Sequence, residues 1–114
     1  NKIIHPEIRK KINSFIQKNK RKKFVILDIP LFLENKMNKK NDIIIFISAN
    51  KKDIGKRLKR RNKASQKILK KLKKFQLPLE VKKKKSNFII KNNFRNNSVK
   101  KNVKRTIGKI LLNA

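Results

Sequence analysis

The chain has 114 residues, enough for one domain with a modest core, and carries 36 Lys and Arg against 6 Asp and Glu, a formal net charge of +30. With no Cys, disulfide frameworks, thiolate metal sites and cysteine nucleophiles are excluded. No apolar run approaches the roughly 18–20 residues of a membrane span and no signal-peptide pattern opens the chain, so a cytoplasmic protein without a membrane partner is expected.

The charge has two readings. Clustered Lys and Arg are the electrostatic footprint of phosphate and nucleic-acid binding. Lys, Asn, Ile and Phe are also abundant together while Gly, Pro and Trp are scarce, the bias AT-rich codons impose on any protein, which places Lys on solvated faces whatever the function. Nonspecific attraction to polyanions follows from either. So does self-repulsion that weakens the fold at low salt.

In chain order, His5-Pro6 precedes a segment in which Ile8, Ile12, Phe15 and Ile16 recur at helical spacing, with Pro6 in the first turn, where its missing N–H costs nothing. The basic run 18–23 ends that helix. Residues 24–29, FVILDI, are continuously apolar up to Asp28, the pattern of a strand buried on both faces. Asp28, Pro30 and Glu34 follow one another around its end. A second apolar run, DIIIFIS, predicts a strand over 42–48. Helices are expected over 51–61 and 64–75, with Ile54, Leu58, Ile68, Leu69 and Leu72 facing inward and Gly55 weakening the first. Pro78 opens a short helical turn, NFIIK predicts a third strand over 87–91, and Asn92-Asn93 breaks it. The tail from 97 to 112 carries a helical stripe, with Ile107 and Leu111 expected in the core.

Short buried strands alternating with helices predict an α/β fold with a parallel sheet, in which ligands bind at the carboxyl ends of the strands. Asp28 and Pro30 stand at one such end.

His5-Pro6-x-Ile8-Arg9, Leu27-Asp28-Ile29-Pro30-Leu31 with Glu34, Arg57-Leu58-x-x-Arg61, Gln76-x-Pro78-Leu79-Glu80-x-Lys82 and Ile90-x-Asn92 occur in order across nearly the whole chain. Together they resemble the dephospho-CoA kinases. The resemblance implies a P-loop NTPase-type α/β fold with flanking helices and a helical lid at about 51–85, and residues 1–114 as the C-terminal part of a single kinase domain. It implies transfer of the γ-phosphoryl of ATP, with Mg2+ held mainly by the nucleotide, to the ribose 3′-hydroxyl of dephospho-CoA. Family members open with a strand and a G-x-x-G-x-G-K-[ST] phosphate loop. This chain, whose only glycines are Gly55 and Gly108, contains no such loop, so the resemblance implies a fold incomplete at its N-terminus, poorly stable and inactive by itself. The missing strand would lie between residues 24–29 and 42–48.

By the same resemblance His5, Asp28, Pro30 and Glu34 face the dephospho-CoA pocket, Asp28 as a catalytic acid. Arg57, Arg61, Lys82 and Asn92 serve the nucleotide, with Arg61 as the transition-state cation and Asn92 near the adenine. Each has a plainer reading: His5 and Asp28 as caps, Glu34 as a solvated loop acid, Arg57, Arg61 and Lys82 as one more basic face. Asn87, Asn93 and Phe94 depart from the family pattern around the adenine. The competing function is a basic nucleic-acid-binding protein, although the Phe residues are scattered rather than arranged as a stacking platform.

Overall fold

The structure, a computed structural model, describes residues 6–112. The chain divides into two compact units, Asn1–Asn38 and Lys39–Ala114.

The first unit holds helix α1, Pro6–Lys18. Pro6 opens it as expected, Glu7 lies in the first turn and Lys18 in the last, each complementing the helix dipole. Asn19 closes it, donating to the Phe15 carbonyl both its backbone N–H (3.2 Å) and its side-chain amide (2.8 Å). Ile12 and Ile16 are half-buried while Ile8 and Phe15 are exposed.

Residues 24–29 form no strand, which corrects the expectation of a buried strand ending at Asp28. A strand exists only with a hydrogen-bonded partner, and among the described residues none pairs with this segment. It is not buried on both faces either: Val25, Leu27 and Ile29 are half-buried, whereas Phe24, Asp28 and Pro30 are exposed and Ile26 is 84% exposed. After Pro30 the chain winds into tight turns, with Leu31 and Lys36 at φ 57° and 51°. The Leu31 carbonyl accepts both the backbone N–H and the side-chain amide of Asn35, at 3.0 and 2.9 Å. Arg9 donates to the Asn35 carbonyl at 3.1 Å, tying α1 to this turn.

The second unit runs β1 (Ile45–Ser48), α2 (Lys51–Lys59), α3 (Lys63–Lys73), α4 (Leu79–Lys85), β2 (Phe88–Lys91) and α5 (Asn96–Leu112). β1 and β2 pair in parallel, in the register Ile45–Phe88, Phe46–Ile89, Ile47–Ile90, Ser48–Lys91. Their connection is the helical crossover that a parallel pair requires. The expected strands are thus present but shorter, because the ladder spans only the paired residues. At the amino end of the pair the Asn87 side-chain oxygen accepts the Ile44 N–H at 2.7 Å, while the Ile44 carbonyl accepts the Asn87 N–H at 2.8 Å. Asn87 therefore pins the register. We expect Asn87→Ala to cost about 1 kcal/mol locally and to speed amide exchange at Ile44 severalfold; unchanged exchange would remove this role.

α5 packs along β2. Asn102, on α5, donates to the Lys91 carbonyl at 3.1 Å, and the buried Thr106 hydroxyl donates to the Asn102 carbonyl at 2.9 Å. Among the described residues of this unit, Ile90 and Thr106 are the buried ones, each 7% exposed. The expected helix stripes are less covered than their pattern suggests: Ile54, Leu58, Ile68, Ile107 and Leu111 are all exposed, so the assignment of Ile107 and Leu111 to a core is corrected. Periodicity defines the face a helix would bury, but not that a neighbour covers it. Likewise Ile45, Ile47 and Ile89 in the sheet are exposed. Among the described residues no helix is long and apolar enough to cross a membrane.

Candidate functional site

Two parallel strands end side by side at Ser48 and Lys91, and beyond them opens a cleft of about 360 Å3. Ser48 and Ala49 line it from the end of β1, Asn50 and Asp53 from the start of α2, and Lys91, Asn92 and Asn93 from the end of β2. This is where α/β folds bind ligands, because strand ends diverge there and the following helices present their amino ends.

Local chemistry shapes each wall. Asn50 caps α2, its side-chain oxygen accepting the Lys52 N–H at 2.8 Å. Asp53 falls three residues on, in the first turn, on the face α2 shares with Asn50. On the other wall the Asn92 N–H donates to the Ser48 carbonyl at 2.8 Å, extending the ladder one step. The Asn92 side-chain oxygen accepts the Phe94 N–H at 2.9 Å, and that of Asn93 accepts the Arg95 N–H at 3.0 Å. Both bonds are local side-chain turns. They carry the chain through Phe94, at φ 61°, into α5.

Of the residues singled out in the sequence, Asn92 lies in the cleft wall. Arg57 lies on α2 four residues beyond Asp53, on the same face, and its guanidinium stacks 3.9 Å from the centroid of the Phe94 ring. Arg61 is exposed in the turn between α2 and α3; its N–H donates to the Leu58 carbonyl at 3.1 Å and its carbonyl accepts the Gln66 side-chain amide at 2.8 Å. Lys82 is on α4, half-buried and engaged by a neighbouring group. Asp28 and Pro30 are exposed in the first unit, and Glu34 is half-buried there and not free, unlike a solvated loop acid. His5 lies outside the described residues.

Sequence reasoning missed Asp53, Lys91 and the Asn50 cap as cleft residues. An Asn following an apolar run and preceding a helical pattern is a recognisable cap signal, and the carboxyl-end rule would have placed it at the site. Among the described residues no three His, Cys, Asp or Glu gather as a metal cluster.

Helices and a parallel strand pair, with a cleft at the strand ends, define a mixed α/β protein. Comparison makes this specific. The family model of dephospho-CoA kinase matches residues 1–99, and the chain belongs to the dephospho-CoA kinase family. A dephospho-CoA kinase of Wolbachia pipientis wMel is 33% identical over 113 residues, covering 97% of this chain and 57% of that protein. One of Bartonella henselae is 44% identical over 50 residues, covering 42% of this chain and 26% of that protein. The chain thus spans little more than half the length of the first of these relatives. No solved structure gives a significant match.

Proposed function

We propose that the protein takes part in ATP-dependent phosphorylation of the ribose 3′-hydroxyl of dephospho-CoA, giving coenzyme A, within a P-loop NTPase-type fold. The observation that carries this reading is the cleft at the carboxyl ends of β1 and β2, bounded by Asn50, Asp53 and Asn92, in a chain of this family. Phosphoryl transfer asks little covalent chemistry of the protein; it asks for positioning and for cations where charge develops. On this reading Asn92 contacts the adenine side of ATP, and Arg57, Arg61 and Lys82 serve its phosphates. Arg61 meets the transferring group, because a guanidinium offers two parallel N–H donors to phosphate oxygens. His5, Asp28, Pro30 and Glu34 serve the dephospho-CoA side, with Asp28 as a catalytic acid. The glycine-rich loop is not among these 114 residues, and this chain's share of the work is the acceptor side, the lid cations and one wall of the nucleotide site.

Mg2+ would neutralise charge on the phosphates. The single carboxylate in the cleft wall, Asp53, suits an ion held mainly by the nucleotide and only touched by protein. A cytoplasmic setting goes with this reading.

The test is competitive binding by the natural polypeptide that carries these residues. Screened phosphate contacts to a duplex weaken on the order of 10³-fold or more between 50 and 200 mM salt. We therefore expect ATP and dephospho-CoA to remain bound at about 0.5 M salt, where the Debye length is well below the roughly 8 Å of 0.15 M, while duplex DNA is released. Retention of DNA with loss of both small ligands would overturn the proposal in favour of a nucleic-acid protein.

A further inference from the structure

The stacked pair Arg57–Phe94 sits where the two walls of the cleft continue outward. Asn50 and Asp53 line the cleft from α2, and Arg57 follows them at three and then four residues, one helix face throughout. Asn92 and Asn93 line it from the end of β2, and Phe94 comes next. The guanidinium and the ring, 37 positions apart in the sequence, meet at 3.9 Å. The contact bridges α2 and the β2–α5 turn beside the cleft.

The turn is built to present the ring. Phe94 holds φ 61°, a conformation in which a bulky side chain is an outlier and glycine would be the ordinary occupant. Asn92 fixes it by accepting the Phe94 N–H, and Asn93 fixes the next residue by accepting the Arg95 N–H. The Phe94 side chain is half-buried while Arg57 is exposed, so the ring is the anchored member and the arginine the one being held. A guanidinium stacked on an aromatic face keeps its edge N–H groups available, which is how arginine binds a ring and phosphate oxygens at once.

We propose that Phe94 is a positioning residue: its ring holds the Arg57 guanidinium beside the cleft so that the N–H edge meets the phosphates of a nucleoside triphosphate. This rests on the nucleotide-site reading given above. Phe94, which departs from the family pattern in sequence, thereby acquires a role: an aromatic ring replaces chain flexibility with a fixed arginine.

The experiment compares ATP and adenosine binding by the natural polypeptide carrying Phe94→Leu, Phe94→Tyr or Arg57→Met, at a salt concentration that suppresses nonspecific polyanion binding. Phe94→Leu should weaken ATP about two- to fivefold, the size of an exposed cation–π contact, and leave adenosine unchanged. Phe94→Tyr, which keeps the ring, should bind ATP as the unaltered protein does. Arg57→Met should weaken ATP at least as much, and Phe94→Leu should add nothing to it. An ATP affinity unaffected by Phe94→Leu while Arg57→Met weakens it would overturn the positioning role and leave the nucleotide site standing. Equal losses for ATP and adenosine in Phe94→Leu would also overturn it, since the ring would then serve the base or the fold. Failure of the unaltered protein to bind ATP would overturn both readings.

Discussion

On the proposed function, Arg61→Ala is expected to lower the rate of phosphoryl transfer by about a thousandfold, the lower end of what an arginine contributes to a phosphoryl-transfer transition state. The structure makes this a clean substitution. Arg61 is exposed, and its turn is held by backbone groups: the N–H to the Leu58 carbonyl and the carbonyl to the Gln66 amide. Neither bond uses the guanidinium, so removing it should leave α2 and α3 in place. Arg61→Lys retains a charge without the paired donors and should fall between. Single-turnover rates of the natural polypeptide, with circular dichroism as the check on folding, decide the matter. A loss under tenfold for Arg61→Ala would return Arg61 to the solvated basic surface.

Thermal melting of the 114-residue chain by itself is expected to be broad and weakly cooperative in dilute buffer, with a midpoint that rises as salt is added. Surface area explains the first half. The chain exposes 10424 Å2, whereas two separately compact pieces of the sizes of its two units would expose about 7,800 Å2. The difference of about 2,600 Å2 is as large as many permanent subunit interfaces. Its signs are specific: Ile26 and Leu112 are 84% and 86% exposed, and among the described residues Leu31, Ile90 and Thr106 are the buried ones, each still 6–7% exposed. With so little apolar surface removed from water, hydrophobic burial does not offset the loss of chain entropy by the usual margin. Charge explains the second half, since a net +30 repels itself within a Debye length that shrinks from about 30 Å at 0.01 M salt to 3 Å at 1 M. Calorimetry across that range checks both. A single sharp transition in dilute buffer, with an enthalpy near the usual value of about 0.7 kcal/mol per residue, would contradict the reading of an undercovered core.

The helices were legible in the sequence because their signals are local. Pro6 in a first turn and the 3.6-residue stripes place α1, α2, α3 and α5 within one or two residues of where they lie. Strands β1 and β2 were legible as apolar runs, and the helical crossover between them announced their parallel pairing. Residues 24–29 carry the same kind of run and form no strand, because pairing is a relation between segments and an apolar pattern supplies only one side of it. The exposed stripes teach the same lesson: Ile107 and Leu111 mark a face, and what covers a face is not written in its own periodicity.

The site was legible in part. Asn92, which follows the last strand, stands in the cleft wall. Asp53 and Lys91 were passed over because each is a common residue in ordinary local surroundings, distinguished only by the strand ends it sits beside. Asn87 and Phe94, which looked like departures, have structural work: one completes the ladder at Ile44, the other stacks on Arg57. No local rule joins a helix arginine to a ring 37 residues later.

The kinase reading is tested by isolating the natural polypeptide that carries these residues, determining its intact mass, and supplying it with ATP, Mg2+ and dephospho-CoA. Coenzyme A should appear, detected by mass spectrometry as dephospho-CoA plus one phosphoryl group, with ADP formed in equal amount. A pure polypeptide of established mass that binds neither substrate and forms no coenzyme A would contradict that reading.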